Sequence, residues 1–181
     1  MYGGKIKMNL YILRHGQTDY NLMGKFQGQV DIELNENGIK QAQETAKELS
    51  TIQFNKVFSS PLSRAVQTAE LVTRSEITLD SRITERSFGL LEGKESIADY
   101  EERVEEYQIE TIEDLKKRVY HFLDEILQKY RDYDNILIAT HACITIMIEC
   151  YFTKKSYEEV QKYYQLGNGK YIMYNIKGEE N

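Results

Sequence analysis

The segment Met8-Asn9-Leu10-Tyr11-Ile12-Leu13-Arg14-His15-Gly16 decides the fold. Met8 to Leu13 is a short apolar run that stops at a charged pair, and it reads as a strand buried on both faces. Asn135 to Thr140 (Asn-Ile-Leu-Ile-Ala-Thr) repeats the pattern and stops at His141. Lys56-Val57-Phe58-Ser59 is a further strand, and Ile77 to Leu79 a brief one. Helical patterns lie between them. Ile39 to Leu49 places Ile39, Ala42, Ala46 and Leu49 on one side. Pro61, the lone proline, suits a first helical position with Ser60 as N-cap, and that helix runs through Ala65, Thr68, Ala69 and Val72. Ile112 to Tyr130 carries a stripe of Leu115, Val119, Phe122, Leu123, Ile126 and Leu127. Cys143 to Phe152 is an apolar helix, Tyr157 to Tyr164 a short one, and Tyr171 to Ile176 an edge strand. Tyr20 to Glu36 reads as a loop closed by Asn37-Gly38, and Glu85 to Gly93 as another. Lys94 to Glu110 is charged and tyrosine-bearing, and is expected to be helical and mobile.

Strands alternating with helices predict an α/β fold with a largely parallel sheet covered on both faces. Ligands of such sheets bind beyond the carboxyl ends of the strands. Arg14-His15, Ser60 to Arg64, and His141 each follow a strand, so three segments are expected to meet at one sheet edge.

The 181 residues suit one domain, spanning 1–181. Hydrophobic residues make up 41% and charged residues 29%, ordinary for a globular protein. A net charge of −6 argues against a nucleic-acid partner. It leaves room for a small phosphate ester, because a few arginines can outweigh the global sign locally. Cys143 and Cys150 would lie roughly 10 Å apart on one helix, too far for a disulfide, and are expected to be reduced, as in a cytoplasmic protein. No metal-ligand spacing appears. No apolar run reaches the roughly 20 residues of a membrane span, and no signal-peptide core opens the chain. Met1 to Lys7 is polar, and Met8 is an alternative start.

A phosphoryl dianion calls for bidentate, permanently charged donors, and Arg14 and Arg64 stand at the right strand ends. His15, neutral at one ring nitrogen, is a competent nucleophile; a bond from its other nitrogen to a backbone carbonyl would set the tautomer. A protonated His141 could stabilise charge on the transferring group. Glu85, with a raised pKa, is the candidate proton donor to the leaving alkoxide. His121, mid-helix beside Phe122, reads as structural, and the two cysteines as small core residues.

Read together, Leu-Arg-His-Gly-Gln-Thr (13–18), Asn21, Phe-Gln-Gly (26–28), Asp31, Leu34-Asn35, Gly38, Ser-Ser-Pro-Leu-Ser-Arg-Ala (59–65), Thr68-Ala69, Glu85, Phe88-Gly89, Glu92-Gly93 and Ala-Thr-His (139–141) form an ordered set. The chain thereby resembles the histidine phosphatase superfamily, in its phosphoglycerate mutase-like branch. The resemblance implies a three-layer α/β/α sandwich and a phosphohistidine at His15. It implies a phosphate pocket of Arg14, Arg64 and His141, with Asn21, Gln27 and Gly28 at its mouth and Ala142 beside it. Glu85 becomes the proton donor, and no metal or other cofactor is needed.

Two departures refine this. Ala142-Cys143 follows His141 where the family usually has glycine, which puts Cys143 near the phosphate site and makes it a candidate for oxidation. True mutases of the family carry a longer insert with paired arginines, whereas Lys94 to Glu110 is short and Arg103 stands alone. The expectation is a phosphatase for a small phosphorylated metabolite. The alternatives are mutase-type transfer and a non-catalytic phosphate-binding module. The substrate-selecting wall is expected in Gly24 to Asp31 and Lys94 to Glu110. The Tyr171 to Ile176 edge could pair across a homodimer.

Overall fold

A computed structural model describes residues 7–177; the polar segment before them lies outside the described residues. The chain runs β1 (Lys7–Arg14), α1 (Asp19–Leu22), α2 (Glu36–Glu48), β2 (Lys56–Ser59), α3 (Ser63–Val72) and β3 (Ile77–Leu79). It continues through α4 (Val104–Tyr107), α5 (Ile112–Lys129), β4 (Asn135–Thr140), α6 (Ala142–Thr153), α7 (Tyr157–Gln161) and β5 (Tyr171–Lys177). The five strands form one sheet in the order β3-β2-β4-β1-β5. β1, β2, β3 and β4 are parallel, and β5 runs antiparallel along β1.

Alternation along the strands builds the two faces. Met8, Leu10, Ile12, Phe58, Ile136 and Ile138 pack against α5 and α6. Tyr11, Leu13, Val57, Leu137 and Ala139 point the other way, towards Leu49 after α2 and Ala69 and Val72 of α3. The result is the expected α/β/α sandwich with a mostly parallel sheet. β4 is covered on both faces and buried from Ile136 to Thr140, which is why it reads as an unbroken apolar run.

Several local expectations change. The "loop" after residue 18 opens with α1, because Thr18 and Asn21 cap each other reciprocally. α2 begins at Glu36, since the Asn35 side chain accepts from the Gly38 amide at 2.9 Å. Asn37-Gly38 therefore lies in its first turn, and the buried face is Gly38, Ala42 and Thr45, leaving Ile39 exposed. α3 starts at Ser63 with Leu62 at the N-cap, so Pro61 precedes the helix and Ser60 is released for another use. Lys94 to Glu110 is not one helix. Tyr100–Arg103 forms a 3-10 turn, and α4 is closed by Gln108 in the left-handed region, φ 56°. α7 ends at Gln161.

One close approach positions the chain after β1. A Cβ on Gly16 would strike the Gly38 carbonyl, and a Cβ on Gly38 would strike the Gln17 carbonyl. The segment bearing His15 thus lies against the first turn of α2 with no room for a methyl group. Helix propensity alone would make Gly38→Ala stabilising by about 1 kcal/mol, but overpacking costs about 1–3 kcal/mol. We expect Gly38→Ala to lower the urea midpoint; an unchanged or higher midpoint would show that the contact is not a constraint.

Candidate active site

The site forms where β2, β4 and β1, neighbours in the sheet, end together. The His15 amide donates to the Thr140 carbonyl at 2.9 Å, and the Ser60 amide to the Ala139 carbonyl at 3.0 Å. Both outgoing segments therefore lean on β4, whose own next residue is His141. The sequence expectation of three polar segments at one edge is met geometrically.

His15 is buried, and its Nδ1 lies 2.7 Å from the Gly16 carbonyl oxygen. A carbonyl only accepts, so Nδ1 carries the proton and Nε2 presents a lone pair. The Gly16 amide donates to Thr68 Oγ1 at 3.0 Å, and that hydroxyl donates to the Arg64 carbonyl at 2.6 Å. The His15 backbone is thus tied to α3, the helix that carries Arg64. The His15 and His141 rings stand 5.1 Å apart.

Each arginine is aimed by backbone carbonyls. Arg14 donates to Leu166 at 2.6 Å; Arg64 donates to Val30 at 2.8 Å and Gly28 at 2.7 Å. His141 Nε2 lies 2.7 Å from Ser60 Oγ; that hydroxyl accepts from the Leu62 amide and has its proton left to donate to Nε2, which puts the His141 proton on Nδ1. Arg14 Nε, Arg64 Nε and His141 Nδ1 are buried with no protein partner. Buried N–H groups of this kind need an acceptor, and three of them around one imidazole fit an anion.

Glu85 is also buried. One of its carboxylate oxygens accepts from the amides of Arg86 at 2.9 Å and Cys143 at 3.2 Å. Its loop is braced by Arg118 of α5, which donates to the carbonyls of Arg82 and Thr84 at 2.7 Å and of Glu85 at 3.1 Å. Arg118 in turn pairs with Glu110 at 2.6 Å. Arg86 extends beneath the loop to a bidentate pair with Glu101, at 2.5 and 3.0 Å.

Burial, then Arg64 and Arg14, hold His15 well below the ordinary imidazole value. Burial raises Glu85, although Arg64, Arg14 and Arg118 pull against it. His141 is also lowered, by burial and then Arg64. His141 is therefore neutral beside these cations alone; a dianionic group next to it would act in the opposite direction.

Asn21 and Gln27 share a hub with Thr18, whose hydroxyl donates to Gln27 Oε1 at 2.8 Å. Asn21 Oδ1 accepts from the Thr18 amide and from Asn168 Nδ2. Gly28 contributes its carbonyl to Arg64, and Ala142 opens α6. The expectation of an oxidisable Cys143 is not met. Burial and the adjacent Glu85 push its thiol well up, whereas reactive cysteines need a stabilised thiolate. His121 is exposed rather than structural. Among the described residues, no group of three or more His, Cys, Asp or Glu could hold a metal. Sequence reasoning missed Ser60, Thr68, Arg118 and Asn168. Of these, Ser60 stood in the right strand-end run, and Asn168 in the turn-like Gly167-Asn168-Gly169.

Residues 10–181 match the profile of the histidine phosphatase superfamily (branch 1). This chain belongs to that superfamily. Among its relatives, it is 32% identical to a putative phosphoserine phosphatase 2 of Hydrogenobacter thermophilus, over 80% of this chain and 78% of that protein. It is 33% identical to the uncharacterized phosphatase PhoE of Bacillus subtilis, over 76% and 74%. Among solved structures, the superfamily fold is shared with the α-ribazole phosphatase of Shigella flexneri (TM-score 0.81, 25% identity, 92% of this chain and 89% of that one). It is also shared with a phosphoserine phosphatase of Entamoeba histolytica crystallised with 3-phosphoglyceric acid (TM-score 0.78, 25%, 96% of each).

A carboxyl group with a raised folded-state pKa adds stability at low pH and loses it as pH rises through that value. Glu85→Gln keeps the accepting oxygen and removes the charge. We expect it to be more stable than the parent to urea at about pH 8, with the gap closing towards about pH 5. A gap that does not change with pH would contradict the buried position of Glu85.

Proposed function

We propose that this chain is a phosphoric monoester hydrolase acting through a phosphohistidine on His15. The observation that carries the proposal is the His15 Nδ1 to Gly16 carbonyl bond, which leaves Nε2 unprotonated beside Arg14, Arg64 and His141. Nε2 attacks phosphorus, the bond from phosphorus to the ester oxygen breaks, and Glu85 delivers its proton to that oxygen. Glu85, now ionised, takes a proton from water as the water attacks the phosphohistidine. The P–N bond breaks, inorganic phosphate leaves, and His15 and Glu85 return to their starting states. Arg14 and Arg64 bind the phosphoryl oxygens. With the Ser60 hydroxyl donating a hydrogen bond to His141 Nε2, His141 carries its proton on Nδ1, a donor to the same group. Asn21, Gln27, Gly28 and Ala142 frame the pocket mouth.

Hydrolysis is favoured over mutase transfer by Arg103. It pairs with Glu106 at 2.5 Å and lies near Asp99 at 3.8 Å, on the surface. It is thus engaged with its own segment. We further read the chain as one domain, cytoplasmic, acting on a small phosphorylated metabolite without nucleic acid, with β5 available for a homodimer. Among the described residues, no helix is long and apolar enough to cross a membrane.

General acid catalysis contributes about 10²–10⁴-fold. Glu85→Gln should lose that much on alkyl phosphates and far less on p-nitrophenyl phosphate, whose leaving group needs no proton; equal losses on both would remove Glu85 from the acid role. His15→Ala should abolish acid-labile phosphoenzyme and phosphate release together. Phosphate release that persists in pure His15→Ala protein would refute the mechanism. The acid limb of kcat/KM should fall below the ordinary histidine value near 6.5, because the nucleophile stays neutral at pH values where a free histidine is charged.

A further inference from the structure

A cavity of about 260 Å³ opens beside Arg14 and the first turn of α6, and extends to α7 and the chain that follows it. Its wall includes Cys143, whose amide holds the Glu85 carboxylate. Resting on the hydrolase reading above, we propose that this cavity receives the alcohol part of the substrate. The alcohol it fits is uncharged, hydroxylated and about the size of a single sugar ring.

Placement follows from the chemistry. The leaving oxygen must meet Glu85, and the alcohol continues from that oxygen. Phe26, Phe88 and Tyr100 pack on one another, with ring centroids 4.8 to 5.6 Å apart, and Cys143 packs against their cluster. The cavity takes no residue from 24–31 or 94–110. It meets the site through Arg14 and through Cys143, whose amide holds the Glu85 carboxylate.

Selectivity follows from the lining. Arg14 is the single charged residue there, and its charge already faces Glu85 and the phosphoryl site. The polar remainder includes the amides of Gln161 and Gln165 and the Tyr164 hydroxyl, which sits beside those of Thr145 and Tyr174. Hydroxyls and amides exchange hydrogen bonds with sugar hydroxyls, and Tyr157 adds an aromatic wall. A carboxylate or second phosphate there would lack a counter-charge of its own. The volume falls just under the roughly 300–1,000 Å³ typical of drug-sized ligands, and suits a small alcohol.

The test uses the intact chain and follows phosphate release from ribose 5-phosphate, 3-phosphoglycerate and fructose 1,6-bisphosphate, with methyl phosphate as an ester too short to reach the cavity. We expect kcat/KM for ribose 5-phosphate to exceed that for either charged competitor by about tenfold or more, as for one unpaired buried charge. In Tyr164→Phe and Gln161→Leu, the ratio of kcat/KM for ribose 5-phosphate to that for methyl phosphate should fall about fivefold each, as for one lost hydrogen bond. Gln165→Lys should move selectivity towards 3-phosphoglycerate. A parent protein that prefers a charged alcohol overturns the proposal. So do ratios unmoved in variants that still trap phosphohistidine from methyl phosphate, and either result leaves the hydrolase reading standing. Absence of phosphohistidine in the parent with every ester overturns both.

Discussion

The bond from His15 Nδ1–H to the Gly16 carbonyl is the constraint on which the site depends. It sets the tautomer, turns Nε2 towards the arginines, and costs the protein no extra side chain. It forms only if the backbone at Gly16 is held still. The interlock with Gly38 presses that backbone against α2, and Thr68 ties it to α3. The β1–β4 ladder delivers it in register, with Arg14 opposite Thr140. A sheet edge, two glycines and one threonine thus act together on a single imidazole.

Charge follows the same logic. The chain is net acidic, yet Arg14 and Arg64 set the field around His15, because both are largely buried and their head groups are fixed by carbonyls. This positive field disfavours the proton on both proton-transfer groups, and burial, which lowers His15 and raises Glu85, separates them. It keeps His15 unprotonated, while burial works against the arginines to keep Glu85 protonated above the usual carboxylate range. Burial thus sets a neutral nucleophile beside a carboxyl that holds its proton more tightly than usual, the pairing that phosphohistidine chemistry requires.

Much of the site was legible because its residues sit at the ends of short apolar runs. His15, His141 and the Ser60–Arg64 segment could be placed at one edge from strand order alone. Glu85 lies in a loop with no periodic signal; the need for a proton donor made it a candidate, and the family resemblance singled it out from the nearby acids. Arg118 and Asn168 were illegible. Each acts through backbone carbonyls distant in sequence, a partnership that leaves no local pattern. The Pro61 reading failed because tertiary need overrode local preference. Ser60 is used against His141, and the helix starts at Ser63 instead. Lys94 to Glu110 misled through its composition, since its aromatics pack inward as a small cluster with Phe26 and Phe88 rather than along one helix face.

The central claim concerns one proton on His15. Nitrogen-15 NMR of the side-chain imidazoles reads it directly, with His15→Ala assigning the resonance. The account predicts that His15 carries its proton on Nδ1, with Nε2 bare, and shows no titration around the ordinary value near 6.5. A proton found on Nε2, or a His15 resonance that titrates near that value, would contradict it.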